Sequence, residues 1–555
     1  MGWDKMKMNG AQILIKALED QGTEYIFGYP GGAVLGIYDA LYESSIEHIL
    51  VRHEQGGAHA ASGYARVSGR VGVCLATSGP GATNLVTGIA TAYMDSIPLV
   101  IITGQVPKIM VGTDAFQEVD ITGITSPITK HNYLVQDVKD LAKIVAEAFH
   151  IAKTGRPGPV LIDIPTDVST AICDYRPYEN VDIRSYKPTV DGHPNMIKKA
   201  VKLLIQAEKP VICTGGGVIS SGAFEEVREL IELTGAQVVS TLMGLGAFPG
   251  NHEAFLGMLG TYGNKLANDV VQNCDCFVAL GMRFDDRAVG NVDKFAPNAR
   301  IIHIDIDPAE IGKNVKPDLP IVGDLKNVLQ DILKKMRKRP EGMSKKVRNK
   351  KVSTQIHKGI NSPWILQKVQ EIVPKTTIIT TDVGQHQMWT AKCYSFDIPK
   401  TLITSGGLGT MGYGIPAAIG AQLAMPDNLV VAITGDGSFQ MGMAELGTIA
   451  ELELPIKVLL FNNKSLGMVR QLQHCYCNKR YSAVDFKKSL DFMALAKAYG
   501  AEGYRIENIN EAESILKEAL SSKNFTIIEC PIETEDLVSP IVLAGEGLGN
   551  MTDIS

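Results

Sequence analysis

At 555 residues the chain is too long for one hydrophobic core, and its length points to roughly three or four domains. Hydrophobic residues at 45% and charged residues at 21% are ordinary globular values that exclude wholesale disorder. A net charge of -6 offers no global attraction to nucleic acid or to an anionic membrane surface, which leaves small-molecule chemistry as the favoured class.

The opening Met1-Gly2-Trp3-Asp4-Lys5-Met6 lacks the apolar core of a signal peptide, and Met6 stands where a myristoylation signal needs Ser or Thr. Apolar runs such as Ile97 to Thr103 are strand length, far short of the ~20 residues that span a bilayer. A cytoplasmic protein without membrane contact is expected. The nine cysteines are odd in number and scattered, which suits reduced thiols. Cys274 with Cys276 and Cys475 with Cys477 lack a second pair or histidines at zinc-site spacing, so packed or surface thiols are expected there.

Short beta-branched runs alternate with helix-length segments almost throughout, the pattern of parallel sheets covered by helices, so the fold class is α/β with three doubly wound domains. In the first domain, residues 1–175, Tyr25–Gly28, Val71–Ala76, Leu99–Thr103 and Val160–Ile164 read as buried strands, with helices near Gln55–Val67 and Ala82–Tyr93. A second series, residues 190–335, runs from Val211–Thr214 through Ile301–Asp305 to Val322–Asp324. Lys334 to Lys351 is dense in Lys and Arg around Pro340 and Gly342. With no aromatics interleaved for base stacking, it reads as a solvated linker, residues 336–362, rather than a nucleic-acid patch. The third domain occupies residues 363–555. Thr77-Ser78-Gly79-Pro80-Gly81-Ala82-Thr83 and Thr404-Ser405-Gly406-Gly407-Leu408-Gly409-Thr410-Met411 echo one another. Each follows a strand and opens a helix, where free N–H groups favour anionic or polar ligand groups.

The most informative segment is the strand Leu429–Thr434 leading into Gly435-Asp436-Gly437-Ser438-Phe439, followed by the strand Ile456–Phe461 ending in Asn462-Asn463-Lys464-Ser465. In a parallel sheet both strand ends open on the ligand-binding edge. An Asp carboxylate, an Asn carbonyl and a backbone carbonyl make a hard oxygen set that suits Mg2+ and leaves room for phosphate oxygens. Gly407-Leu408-Gly409-Thr410-Met411-Gly412 also matches the dinucleotide pattern, but that match alone is weak and leaves Asn462-Asn463 unexplained.

Gly-Asp-Gly followed by Asn-Asn after a helix and a strand resembles the signature of thiamin-diphosphate-dependent enzymes, and the resemblance extends over nearly the whole chain. It implies that Asp436, Asn463 and the backbone carbonyl of Ser465 hold Mg2+ against the cofactor diphosphate. It also implies that Val383, Gly384, Gln385, His386, Gly409, Gly435, Gly437, Ser438 and Met468 contact the cofactor, with Met411 wedged beneath it. Glu54, after Arg52-His53, has the bland reading of a helix N-terminal acid. By resemblance it hydrogen-bonds a pyrimidine nitrogen and promotes the tautomer whose exocyclic nitrogen takes the thiazolium proton.

Within these enzymes the chain is similar to the acetolactate (acetohydroxyacid) synthase large-subunit family. Gly104-Gln105-Val106-Pro107 and Gly112 to Glu118 look like that family's substrate channel, with Phe116 and Gln117 lining the reacting centre. Gly281-Met282-Arg283-Phe284-Asp285-Asp286-Arg287 resembles its FAD-associated motif, and Arg156, Gly215, Gly216, Gly217, Thr241, Leu242, Gly281, Arg283, Asp285, Asp305 and Asp324 fall where the family contacts FAD. Because the condensation transfers no net electrons, FAD is expected in a structural role, with Arg287 and Leu472 facing substrate.

The implied reaction decarboxylates pyruvate and transfers its two-carbon unit to a second 2-oxo acid, giving 2-acetolactate for branched-chain amino acid biosynthesis. A homodimer or tetramer is implied, with Glu54 reaching the cofactor from one subunit and Asp436 and Asn463 from its partner. Val538 to Met551 would be a mobile lid, and a small regulatory subunit is compatible with the resemblance. Three departures bear on substrate choice: Leu472 stands where the family usually has Trp, Thr166 where it commonly has Lys, and Thr261-Tyr262 where it has Met-His. A related thiamin-diphosphate decarboxylase or carboligase is the alternative activity. An inactive cofactor-binding regulator is a further one, against which Glu54 argues.

Overall fold

Beta-branched runs bounded by Gly and Pro pair into three six-stranded sheets, all of them parallel. The computed structural model describes residues 7–178, 180–337 and 360–554. Counted within each sheet, the strand order is 2-1-3-4-6-5 in the N-terminal sheet, 3-2-1-4-5-6 in the middle sheet and 2-1-3-4-6-5 in the C-terminal sheet. The sequence echo between the first and last thirds is therefore an echo of topology, while the middle sheet has the strand order of dinucleotide-binding folds.

The expected strands form within a residue or two: Tyr25–Gly28, Gly72–Ala76, Leu99–Gln105, Val160–Pro165, Pro210–Thr214, Arg300–Asp305, Val430–Gly435 and Lys457–Asn462. Two expectations differ. The helix expected at Ala82–Tyr93 is two helices, Pro80–Asn84 and Val86–Asp95, meeting at Leu85. The strand expected at Val322–Asp324 runs instead over Leu319–Val322, because Asp324 has turned to cap the helix Leu325–Met336 by accepting from Asn327 N. A short antiparallel pair, Lys7–Asn9 with Ile172–Asp174, closes the first unit. Most of the expected basic linker, Lys338 to Gly359, and the opening six residues lie outside the described residues.

The N- and C-terminal units meet through two helices built from small residues. Glu54–Ser68 starts with the His53 side chain accepting from Gln55 N and stops at Gly69, which adopts a left-handed φ of 76°. Its partner is Gly414–Ala424. A Cβ on Gly420 would stand 1.8 Å from the Ala60 carbonyl oxygen, and one on Gly63 would stand 2.1 Å from that of Ala417, so only glycine permits this approach. Tyr413 fixes the crossing, with its hydroxyl 3.0 Å from Ser62 Oγ and its ring edge-on to His59.

The C-terminal segment expected to move is docked on the middle unit. Val542 and Leu548 are buried in its apolar cluster, Val542 N donates to Thr261 O at 2.9 Å, and Ile541–Val542 pairs with Met551–Thr552.

Candidate functional site

The two matching sheets place their strand-end turns at the edge where parallel sheets bind ligands. In the C-terminal sheet the turn after Val430–Gly435 carries Asp436, and the turn after Lys457–Asn462 carries Asn463 and Ser465. A small cavity of about 50 Å³ brings these three together with Val383, Gly384, Gln385, His386, Met411, Gly435, Gly437, Ser438 and Met468. Ten sequence-expected cofactor contacts thus share one space with Asn463 and Ser465.

Asp436 is 3% exposed, and burial pushes its carboxyl up to about 7 even though the N–H groups of Gly437, Asp436, Lys464 and Ser465 pull it down. Among the described residues no cationic side chain pairs with it. Asn463 is held from both ends: its Oδ1 accepts from Ser465 N at 3.1 Å and its Nδ2 donates to Gln385 Oε1 at 3.3 Å. Ser438 Oγ donates to Val383 O at 2.9 Å, tying two turns of this cavity together.

His386 is buried, with Nε2 unpartnered among the described residues, and burial pushes its ring down to about 3, so it is neutral. Gly384 and Gly435 flank that ring so closely that a Cβ on either would approach it within 3 Å. A desolvated carboxylate without a cation, an amide oxygen beside it, an unpartnered imidazole and a glycine floor fit a divalent cation carrying a diphosphate. Among the described residues no three His, Cys, Asp or Glu side chains converge as a metal cluster.

A larger cavity of about 1040 Å³ lies where the three units meet. It is lined by Arg156, Gly216, Gly217, Thr241, Leu242, Gly281, Arg283, Asp285, Asp305 and Asp324, and also by Gly409, Met468, Arg287 and Leu472. Gly215, the remaining expected FAD contact, does not line it. A Cβ there would stand 2.2 Å from Gly281 O, so this glycine lets one strand-end turn pack on another. Gly281 itself has a φ of 58° and sits against Gly217, where a Cβ would meet the Gly217 Cα at 2.5 Å.

Asp305, at the end of its strand, is raised to about 6 by burial, with its carboxylate accepting from Asp307 N at 2.9 Å. Asp285 accepts from the N–H groups of Arg287 and Ala288. Arg156 bridges two units, donating to Ser96 Oγ at 2.8 Å and pairing with Glu310 at 2.7 Å and Asp307 at 3.2 Å. The cavity volume is at the top of the ~300–1,000 Å³ range of small-molecule sites, and a glycine turn facing a strand-end Asp fits a dinucleotide.

Glu54, Phe116 and Gln117 are not brought to either cavity. Glu54 stands at the edge of the N-terminal sheet, half-buried, accepting from Asn84 Nδ2 at 2.9 Å. Phe116 is 87% exposed, and Gln117 follows with a left-handed φ of 57°, its backbone against Gly79. Thr166, at the start of a short helix, is half-buried.

Three acids that organise the site went unrecognised in the sequence. Asp382 is fully buried, raised to about 6, and accepts from the N–H groups of Val383, Gly412 and Gly414, so it shapes the turn that carries Met411. It follows the strand Ile378–Thr381 directly, the same strand-end signal that marked Asp436. Asp95 accepts from Gly406 and Gly407 N, and Glu445 accepts from Arg52 and His53 N beside Glu54. Their partners lie 311 to 393 residues away in the chain, so no local pattern announced them.

Two like-ordered sheets presenting strand-end glycine turns, with a third sheet of dinucleotide order between them, define a three-domain thiamin diphosphate enzyme. Three domain families match in sequence: the thiamine pyrophosphate enzyme N-terminal TPP binding domain over residues 8–124, the central domain over 197–332 and the C-terminal TPP binding domain over 382–530. Similar proteins include the probable acetolactate synthase large subunit of Methanocaldococcus jannaschii, 49% identical over 98% of this chain and 95% of the relative. Acetolactate synthase of Arthrospira platensis is 48% identical over 99% and 98%, and acetolactate synthase isozyme 3 large subunit of Escherichia coli is 44% identical over 98% of each. The chain belongs to the acetolactate synthase large-subunit family.

Proposed function

We propose that this chain is the catalytic subunit of an acetolactate synthase, decarboxylating pyruvate and joining its two-carbon unit to a second 2-oxo acid, with 2-acetolactate as the pyruvate product. The carrying observation is the cavity in which Asp436, Asn463, Ser465 and Met411 converge at the strand ends of the C-terminal sheet. Bound thiamin diphosphate supplies the carbanion chemistry that removes CO2 from a 2-oxo acid. Asp436, Asn463 Oδ1 and the Ser465 carbonyl hold Mg2+, and the Gly384 and Gly435 turns let the diphosphate approach the backbone. Glu54 binds a pyrimidine ring nitrogen and holds its proton, work that positioned acids perform at about 100- to 10,000-fold in rate. Met411, which lines the same cavity, would pack against the bound cofactor. Arg287 pairs with the carboxylate of the second 2-oxo acid while Leu472 shapes the pocket for its side chain. FAD would occupy the larger cavity as a structural group, with Arg156, the Gly216-Gly217 turn and Asp305 among the residues that would hold it.

Glu54 and Phe116 serve a site made by two subunits. Their place outside both cavities supports this, as does the exposure of Phe116 at 87%, a side chain with no apolar cover from its own chain. The relatives named large subunits support a separate small-subunit partner. No helix among the described residues is long and apolar enough to cross a membrane. The deciding assay supplies pyruvate, thiamin diphosphate and Mg2+ with and without FAD. Acetolactate formed only with FAD supports the whole reading, acetolactate without FAD removes the flavin requirement, and acetaldehyde without acetolactate refutes the carboligase.

A further inference from the structure

Glu54 begins the helix Glu54–Ser68, and the main chain that leads into it is fastened from another unit. The strand Glu47–Leu50 has ended by then, so the N–H groups of Arg52 and His53 have no partner in the sheet. Both donate to the side chain of Glu445 in the C-terminal unit. Arg52 N lies 3.0 Å from Oε1 and 3.2 Å from Oε2, and His53 N lies 3.0 Å from Oε1. Among the described residues no other acceptor serves either group. Glu445 is 2% exposed, so bulk water does not stand in for it, and a buried donor left unpaired is costly.

Glu445 is itself held in place. Thr448 Oγ1 donates to its Oε2 at 2.8 Å, and burial raises its carboxyl above the usual carboxylate range against the pull of these three donors. Gly56, in the first turn of the Glu54 helix, leaves the opening that the carboxylate fills, since a Cβ there would stand 2.7 Å from Glu445 Cδ. The neighbouring ties differ in kind. The Arg52 guanidinium reaches Gly447 O at 3.3 Å and pairs with Glu451, but the two paired side chains are 31 and 52% exposed and hold no main-chain N–H. Such an exposed pair contributes little in water. Asn84 Nδ2 donates to Glu54 Oε2 at 2.9 Å, which steadies one carboxylate oxygen and leaves the place of the Glu54 backbone to the turn before it.

We propose that Glu445 is a positioning residue for Glu54: by holding the N–H groups of Arg52 and His53 from the C-terminal unit, it sets where the Glu54 carboxylate meets the cofactor pyrimidine. The inference rests on the assignment of Glu54 to that ring. A hydrogen bond to a ring nitrogen works over about 2.6–3.2 Å between heavy atoms, so a shift of about 1 Å in the turn removes it. Glu445 touches neither cofactor nor substrate and acts only through the main chain.

The test uses the full chain loaded with thiamin diphosphate and Mg2+. It reads the exchange of the cofactor's thiazolium proton for deuterium by NMR, and cofactor affinity by quenching of tryptophan fluorescence, since Trp389 lines the cofactor cavity. Glu445→Met slows that exchange about 100-fold and lowers kcat alike, with KM and cofactor affinity unchanged. In the cofactor-free protein it speeds amide exchange in the peptide holding Arg52 and His53 about tenfold. Glu445→Gln keeps an oxygen for both N–H groups and restores the thiazolium exchange. Gly56→Ala improves helix propensity yet pushes the carboxylate aside, so it slows the exchange as Glu445→Met does and carries the test should that variant fail to fold. Glu451→Gln is the control, cutting the exposed pair and leaving the exchange at the wild-type rate. Wild-type exchange in Glu445→Met or in Gly56→Ala overturns the proposal, and so does equal slowing in Glu451→Gln. Glu54→Gln separates the two readings. Undiminished exchange there contradicts the assignment of Glu54 itself, whereas exchange slowed in Glu54→Gln but not in Glu445→Met contradicts only the positioning.

Discussion

Asp163 lies at the end of the strand Val160–Pro165, 1% exposed, accepting from Thr103 Oγ1 at 2.7 Å and Gln105 Nε2 at 3.0 Å. Burial outweighs both hydrogen bonds and pushes its carboxyl up from the usual 3.8 to about 7. In the unfolded chain the group ionises near 3.8, while in the folded protein it stays protonated to about 7. Its contribution to stability is therefore fully present below 3.8, falls by about 1.4 kcal/mol per pH unit through that window, and is gone above about 7, a total of about 4 kcal/mol.

Asp163→Asn imitates the protonated acid. Its Oδ1 can accept from Gln105 Nε2, and its Nδ2 can donate to the Thr103 hydroxyl, which rotates from donor to acceptor. The variant should match the wild type near pH ~4 and exceed it above pH ~7, by of the order of 10 °C in Tm for the unit concerned. Scanning calorimetry of both proteins across that range is the assay. The other acids raised by burial, Asp95, Asp305, Asp382, Asp436 and Glu445 among them, titrate alike in both proteins and cancel in the difference. Gln105 Nε2 still donates to Val119 O at 2.9 Å, so the loop carrying Phe116 and Gln117 keeps its place and turnover is retained. A Tm difference that stays constant with pH would refute the argument.

Glu54→Gln should lower acetolactate formation by about 100- to 10,000-fold while tryptophan quenching shows the cofactor still bound, and full activity would contradict the role given to Glu54. In competition between pyruvate and 2-oxobutyrate as acceptor the wild type should select weakly. Leu472→Trp should favour 2-oxobutyrate by about 1–3 kcal/mol, and an unchanged product ratio would remove Leu472 from the acceptor pocket. Gly281→Ala forces a side chain into a φ of 58° and against Gly217, so the purified protein should lose bound flavin as read by visible absorbance. Asp436→Asn, or a chelator added to the wild type, should release thiamin diphosphate; undiminished cofactor affinity at low Mg2+ would place the metal elsewhere.

Much of this protein could be read locally. The sheets rest on beta-branched runs such as Val430 to Thr434, whose length and bounding glycines carry the signal without any tertiary partner. Asp436 and Asn463 could be found because strand-end chemistry in a parallel sheet is set by the strand and the turn that follows it. Part of the large cavity's lining, at Gly216 and Asp305, likewise stands at the ends of strands that the sequence announces.

Tertiary structure alone decided which groups act together. Gly215 carries the same sequence signal as Gly216 and Gly217, yet it packs against Gly281 instead of lining the cavity, because close approach depends on the facing strand. Asp95 and Glu445 serve backbone N–H groups more than 300 residues distant, and a satisfied donor leaves no trace in the acceptor's neighbours along the chain. The segment from Val538 to Met551 carries no local mark of its partners, which are the middle unit's apolar cluster for Val542 and Leu548 and the Gln471 amide for Val538. The sequence thus determined the strands, the turns and the chemistry they carry, since these follow from a few neighbouring residues. Burial and the partners of each polar group belong to the packed chain, because they depend on what the other two-thirds of the molecule bring against it.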